Sequence, residues 1–195
     1  MNALAETRHV RPWGPGLLHG MSLTPGSVER RVLAQLLIAG EAVPLDLPAL
    51  AQRLALRTGE VGKALFALNR AGSIAVLDSR GDETRWQPAG LGALKQALAD
   101  MAQPQQGLVL ASADGLVIAA TGVSAVDAEA LAAQIRLNDG EPTTQTGPWS
   151  DWQGTALQLG ARSLVLLWSH KLDVQHPAWL RVAAGLLQAH GELEE

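Results

Sequence analysis

The sequence contains no cysteine, and this absence excludes several kinds of chemistry at once. Disulfides, thiol catalysis and thiolate metal sites all need a cysteine side chain. Long apolar runs are missing as well: no stretch of about 18 apolar residues occurs, so we predict no membrane-spanning helix. The amino terminus has no apolar segment of the signal-peptide type. Together these absences favour a cytoplasmic protein.

Charged residues are scarce, at 17% of the chain, whereas hydrophobic residues make up 47%. A chain of 195 residues with this composition can fill one large core or two small ones. The net charge of −4 excludes a basic nucleic-acid coat. The charge is uneven, since residues 24–90 carry a net +1 and residues 91–195 a net −6. This asymmetry predicts two modules with different partners.

The common catalytic signatures are also missing. The sequence has no G-x-x-x-x-G-K-[ST], no G-x-S-x-G and no H-E-x-x-H motif. Asp114 is the one acid that invites a catalytic interpretation, but no second carboxylate or histidine lies near it in the sequence. Asp114-Gly115 is instead typical of a tight turn. We therefore expect no enzymatic activity and no cofactor.

A metal site is an alternative near the carboxyl end of the chain. His170, Asp173 and His176 fall in one predicted loop that leads to Pro177, and such a loop could gather three ligands. Solvated polar residues in a loop before a helix that starts at a proline explain the same segment without a metal. The sequence leaves this question open.

The first 90 residues divide into an arm and a helical module. Residues 1–23 hold five glycines and prolines without a clean period, so we predict an irregular arm. Helices are predicted over 27–39 with Ser27 as N-cap, from Pro48, and over 60–72, with a turn at 57–59. Two strands, 73–78 and 83–88, flank a hairpin signal. This order resembles a winged helix-turn-helix over residues 24–88.

The resemblance implies that the third helix of this module is a recognition helix. Its exposed polar residues could reach phosphates and base edges, and two more cations lie on the predicted wing. The candidate DNA-binding residues are Arg57, Thr58, Lys63, Asn69, Arg70, Arg80 and Arg85. A winged helix used only for protein contact is the alternative, because the net charge is low and Glu60 lies where phosphates would approach.

In the second half of the chain, the sequence pattern predicts a helix from 91 to 102. Two apolar runs, 108–111 and 116–120, follow it and flank the Asp114-Gly115 turn. These runs do not alternate, so we predict that both are buried on both faces. Ser124 can cap the next helix, up to residue 137. Three strands follow, within 143–152, 155–160 and 163–169, and Pro177 opens a last helix with one apolar side.

The predicted order of a helix, two strands, a helix, three strands and a helix resembles the roadblock (dynein light chain) family over residues 91–190. The resemblance implies pairing of two copies through the helix after Ser124, and a Ras-like small GTPase as partner. The candidate dimer residues on that helix are Ala130, Ala133, Gln134 and Leu137. An ordinary surface made of good helix formers is the alternative.

The sequence thus predicts an α+β protein with three parts. These are an arm (1–23), a winged helix-turn-helix-like domain (24–90) and a roadblock-like antiparallel sheet domain of order α-ββ-α-βββ-α (91–195). We expect a non-enzymatic cytoplasmic regulator that forms a homodimer and binds duplex DNA. The alternative is an adaptor or regulator of a small GTPase.

Overall fold

The computed structural model describes residues 8–78, 85–138, 140 and 149–189, and it contains two antiparallel sheets surrounded by helices. The elements in chain order are β1 (His9–Pro12), α1 (Leu17–Ser22), α2 (Val28–Ile38), β2 (Val43–Pro44), α3 (Leu47–Leu54), α4 (Thr58–Arg70), β3 (Ile74–Leu77), α5 (Leu94–Met101), β4 (Leu108–Ser112), β5 (Val117–Thr121), α6 (Ala125–Leu137), β6 (Trp152–Leu159), β7 (Arg162–Ser169) and α7 (Ala178–Ala189). The prediction of a mixed α and β protein is confirmed. Among the described helices, none combines the length and the apolar character that a membrane crossing requires.

Local capping signals place several helix starts where the sequence predicts them. The Ser27 hydroxyl accepts a hydrogen bond from the Arg30 amide at 3.2 Å and starts α2. Ser124 accepts from the Asp127 amide at 3.1 Å in the same way and starts α6. These bonds satisfy amides that the helix itself leaves without partners.

The prediction of an irregular arm over 1–23 is wrong for residues 9–22. Strand β1 is the middle strand of a three-stranded sheet with the order β2-β1-β3, and α1 follows after a 3-10 turn. Val10, Leu17 and Met21 are fully buried, so this segment closes the core of the first module. Residues 1–7 lie outside the described residues.

The predicted hairpin of 73–78 with 83–88 is also wrong. Strand β3 pairs with β1, with Ile74 opposite Pro12 and Leu77 opposite His9. Residues 85–88 form no strand, and the predicted turn, 79–82, lies outside the described residues together with 83 and 84. Trp86 is buried instead, where its indole N–H donates to the Leu37 carbonyl at 2.9 Å. The burial of this large ring at the end of α2 is favoured over a strand at Trp86 that would pair with β3.

The second sheet has the order β5-β4-β7-β6. Strand β4 is buried on both faces, as predicted, because α6 covers one face and the core around α5 and α7 covers the other. The same prediction is wrong for the 116–120 run. Strand β5 is an edge strand, and Leu116, Val117 and Ile118 are 68%, 36% and 40% exposed.

Two of the three strands predicted after α6 are present as β6 and β7. The first of the three, over 143–152, is not found in its described part. Residues 149–151 form no strand and Trp152 begins β6, while 141–148 lie outside the described residues. Strand β6 therefore starts three residues earlier than predicted, because Trp152 pairs with Ser169 on β7 and is itself buried.

Helix α7 is buried on almost every side rather than on one. Trp179, Ala183 and Leu187 are fully buried, and α7 packs against α5, α2 and α1. One apolar cluster runs from Val10 through α7 to the strands of the second sheet. The division at residue 90 stays a prediction, and the described residues on its two sides share this core.

Arg30 is the buried charged residue that ties the two halves together. Arg30 is 1% exposed, and its guanidinium donates to the Gly20 carbonyl at 2.8 Å and to the Gln158 carbonyl at 2.7 Å. We expect Arg30→Met to lower the free energy of unfolding by about 2 kcal/mol, because the buried Gly20 carbonyl and the half-buried Gln158 carbonyl both lose a charged donor.

Chemical denaturation followed by circular dichroism measures this change. Arg53→Met is the control, because Arg53 is exposed on α3 and its loss should change stability by less than about 0.5 kcal/mol. Equal denaturation midpoints for Arg30→Met and the wild type would contradict the role assigned to Arg30.

Candidate nucleic-acid interface

A three-residue connection joins α3 to α4. Helix α3 ends at Leu54, Ala55 takes the left-handed conformation with φ of 49°, and α4 begins at Thr58. The Arg31 guanidinium of α2 donates to the Leu54 carbonyl and holds the end of α3 against α2. Two helices joined by a turn of this length are typical of a helix-turn-helix.

The turn predicted at 57–59 is therefore shifted towards the amino terminus. Ala55 makes the turn, while Thr58 and Gly59 belong to the first turn of α4. The Glu60 carboxylate accepts from the Arg57 backbone N–H at 2.9 Å and so satisfies the start of the helix. Because of this bond, Glu60 has a structural role, and its charge lies at the positive end of the helix dipole.

Helix α4 has one buried face and one exposed face. Val61, Ala64, Leu65 and Leu68 are buried against α2, α3 and β3. On the opposite side, Lys63, Phe66 and Arg70 follow one another at spacings of three and four, which places them on one exposed line. Two cations therefore flank an aromatic ring on a helix face that no described element covers.

Phe66 is the residue that the sequence reasoning missed. It is the only phenylalanine of the chain, and it is 69% exposed. The signal was present, because Phe66 falls outside the helical stripe formed by Val61, Leu65 and Leu68. Aromatic side chains are enriched among the residues that anchor protein interfaces, so Phe66 is a candidate contact with a partner.

The structure brings most of the predicted DNA-binding residues to α4 and its start. Arg57, Thr58, Lys63, Asn69 and Arg70 are all exposed. The wing residues are different. Arg80 lies outside the described residues, and Arg85 forms an ion pair with Glu41 at 3.3 Å instead of standing alone. The exposed Arg53 of α3 adds a cation near the α3–α4 connection that was not predicted as a site residue.

The predicted dimer residues lie on the outer side of α6. Ala130, Ala133 and Leu137 are exposed, and Leu137 reaches 82%. Val126, 75% exposed, extends the same line by one turn. Gln134 lies at the side of this line, is half-buried and has an interaction of its own. The four apolar side chains form what we call the α6 stripe (Val126, Ala130, Ala133 and Leu137).

Asp114 lies in the hairpin turn between β4 and β5. Gly115 has φ of 82°, and its amide donates to the Ser112 carbonyl at 2.9 Å, so the pair closes the turn as predicted. The turn borders a cavity of 630 Å³, to which Arg162 and Ser163 also contribute. The described lining of this cavity holds no histidine and no second carboxylate, so a two-carboxylate mechanism has no support here.

Two of the three residues of the possible metal site are used in local hydrogen bonds. The Asp173 carboxylate accepts from the Gln175 amide at 3.0 Å, and His176 Nδ1 accepts from the Ala178 amide at 3.3 Å. His170 is exposed in the left-handed conformation, with φ of 60°. Within the described part of the chain, no three histidine or acidic side chains are placed to hold a metal ion.

The geometry of α4 and its connection to α3 thus carries the functional interpretation, since relatives supply none. Comparison of the chain with protein-family models, with curated proteins and with solved structures finds no match.

Proposed function

We propose that this protein is a cytoplasmic, non-enzymatic regulator that binds duplex DNA through α4 and forms a homodimer through α6. The observation that carries the proposal is the exposed line of Lys63, Phe66 and Arg70 on the second helix of a helix-turn-helix arrangement. Such a helix can enter the major groove, where cations reach phosphates or guanine.

The order of elements supports the two fold resemblances behind this proposal. Helix α2, strand β2, helices α3 and α4 and strand β3 follow the order of a winged helix as far as β3, with β1 added from the amino-terminal side, while residues 85–88 form no second wing strand. The described elements from α5 to α7 follow the roadblock-like order of a helix, a hairpin, a helix, further antiparallel strands and a helix.

The side chains on the exposed face of α4 are better suited to binding duplex DNA than to contact with solvent alone. Lys63 and Arg70 can bind phosphates or guanine, Asn69 can pair with adenine, and Phe66 can contact the methyl group of thymine. Glu60 keeps its negative charge beside this face, and its carboxylate accepts a hydrogen bond from the Arg57 amide at the helix start. A dimer would double these contacts and match a paired half-site.

The α6 stripe supports a symmetric dimer. Its ends, Val126 and Leu137, are among the most exposed large apolar residues of the described chain. A two-fold interface needs the same patch on both subunits, and small residues in the middle of a helix allow a second helix to approach closely. Pairing of two α6 helices would remove this apolar surface from water.

We expect Ala133→Glu to convert a dimer of this protein into a monomer. The substitution places a like charge from each subunit in the middle of the α6 stripe, where neither finds a partner. Light scattering coupled to gel filtration measures the molar mass. Ala67→Glu is the matched control, because Ala67 is also an exposed helical alanine but lies on α4. A monomeric wild type, or a dimeric Ala133→Glu variant, would contradict the assignment of this interface.

DNA binding is tested with the full chain on a pool of mixed-sequence duplexes. We expect retention at low salt that weakens steeply as salt increases, because phosphate contacts release counterions. Selection from that pool then shows whether α4 reads sequence. The absence of salt-sensitive retention on any duplex would end the proposal.

An adaptor for a Ras-like small GTPase is the second candidate, and the exposure of Phe66 favours it. Aromatic residues that fill a partner's pocket are typical anchors of protein interfaces. Recovery of a small GTPase on the immobilised full chain, lost in Phe66→Ala, would support this function. The two candidates separate cleanly, because GTPase capture should depend little on Lys63 and Arg70 whereas DNA binding should depend on both.

A further inference from the structure

The cavity of 630 Å³ beside the β4–β5 turn has a second property besides its lack of paired carboxylates. Its volume lies within the range of about 300–1,000 Å³ that is typical of sites for small molecules. The described lining combines apolar side chains with one anionic and one cationic side chain, Asp114 and Arg162. Neither the α4 face nor the α6 stripe contributes to this described lining.

The register of β4 and β7 brings the two charged residues to the same end of the cavity. The two strands pair antiparallel, and just beyond β4 the Ala113 amide donates to the Ser163 carbonyl at 3.1 Å. The residue after Ala113 is Asp114, and the residue before Ser163 is Arg162. A carboxylate and a guanidinium therefore lie on neighbouring strands where the two chains turn.

Both charged side chains are accessible and uncommitted. Asp114 and Arg162 are exposed, and within the described part of the chain neither side chain forms a hydrogen bond or an ion pair. A carboxylate accepts hydrogen bonds from an ammonium group, and a planar guanidinium can donate two parallel bonds to a carboxylate. A ligand with one charge of each sign matches both residues, whereas a ligand with a single charge matches only one.

The apolar wall of the cavity is formed by side chains that the fold leaves exposed. Leu116 and Ile118 are 68% and 40% exposed, and both line the cavity. Ile118 is the extra residue of a β-bulge, because its two neighbours on β5 are opposite consecutive residues of β4. A bulge re-aims the side chain that it inserts. An apolar group bound here would remove both side chains from water.

We propose that this cavity binds a small zwitterion with an apolar side chain, the chemistry that free amino acids and short peptides share. Arg162 binds the carboxylate, Asp114 binds the ammonium, and Leu116 and Ile118 contact the apolar side chain. The site is separate from α4 and from the α6 stripe, so it stands whether or not the protein binds DNA or forms a dimer.

Leucine and leucyl-leucine are the two probes, and the amide signals in NMR spectra of the full chain measure their binding. We expect saturable shifts at the cavity residues, with a Kd of about 1 mM or below for the tighter probe. Tighter binding of leucine identifies a free amino acid as the ligand, and tighter binding of the dipeptide identifies a short peptide. The absence of saturable shifts with both probes at roughly 20 mM would overturn the proposal.

Derivatives of the tighter probe test on the wild type whether both charges are recognised. Acetylation removes the ammonium charge, and amidation removes the carboxylate charge. We expect each derivative to bind at least about tenfold more weakly than the probe itself, because one charged hydrogen-bonding contact is lost. If either derivative binds as tightly as the probe, the site does not recognise a zwitterion.

Two variants assign the charges to their residues. Asp114→Asn keeps the tight turn, because Asn-Gly favours the same hairpin geometry as Asp-Gly, and Arg162→Met removes the exposed guanidinium. We expect either change to raise the Kd of the unmodified probe at least about tenfold. Asp114→Asn should leave the Kd of the acetylated probe unchanged, and Arg162→Met should leave that of the amidated probe unchanged.

This crossed pattern distinguishes direct contacts from a general effect on the hairpin. Arg53→Met is the control, because Arg53 is an exposed cation that does not line this cavity, and it should bind the probe as the wild type does. An unchanged Kd of the unmodified probe in Asp114→Asn or in Arg162→Met would overturn the contact assigned to that residue.

Discussion

Replacing Gly185 with alanine is expected to lower the free energy of unfolding by about 3 kcal/mol or more, because α7 has no room for a side chain there. A Cβ atom on Gly185 would lie 2.0 Å from the carbonyl oxygen of Ala89 and 2.8 Å from its carbonyl carbon. Both are backbone atoms, so no side-chain rotation can relieve the clash. The Ala89 amide also donates to the Arg181 carbonyl of α7 at 3.1 Å, which holds the two segments together.

Gly62 offers the matched control. It lies inside α4, and a Cβ there meets only the end of the Leu47 side chain, at an ordinary 3.9 Å. Gly62→Ala should therefore leave stability unchanged or raise it by roughly 0.5–1 kcal/mol, because alanine loses less entropy in a helix. Thermal and chemical denaturation measure both variants. Equal stabilities would show that the approach of Ala89 to α7 is not tight.

The second large effect concerns the α4 face. We expect Lys63→Ala combined with Arg70→Ala to weaken binding to duplex DNA about 100-fold, because each cation contributes one charged contact. The slope of log affinity against log salt should fall by about two. Fluorescence anisotropy at several salt concentrations measures both quantities.

A control variant with the same change of net charge separates the effect of position on DNA affinity from the effect of charge. Lys95→Ala combined with Arg136→Ala removes two exposed cations from the other half of the chain. If DNA affinity depends only on net charge, this pair should weaken binding as much as the α4 pair. Such a result would remove α4 from the interface, whereas full retention of affinity would support the assignment.

Elements with strong local signals could be predicted from the sequence, and those that depend on distant partners could not. Ser27 and Ser124 allow the starts of α2 and α6 to be predicted, because a helix cap depends only on residues within about four positions of each other. Asp114-Gly115 likewise specifies its turn. Strand β1 is only four residues long and ends in a proline, so nothing local shows that it lies between β2 and β3.

The same distinction explains the candidate sites. The cations of α4 could be predicted because polar residues on a helix outside its apolar stripe are exposed. The structure of the predicted wing could not be predicted correctly, because two contacts with residues distant in the sequence outweigh the local hairpin signal. Strand β3 pairs with β1, and Trp86 is buried against α2.

Burial of α7 on almost every side has a consequence for how the chain reaches its native state. Of the described elements, α7 is the last to leave the ribosome, yet it completes the core shared by α1, α2 and the second sheet. The nascent chain must therefore hold both halves with exposed apolar surface until synthesis of α7 is finished. A fragment that stops before α7 would be a substrate for chaperones and proteases rather than a smaller version of the protein.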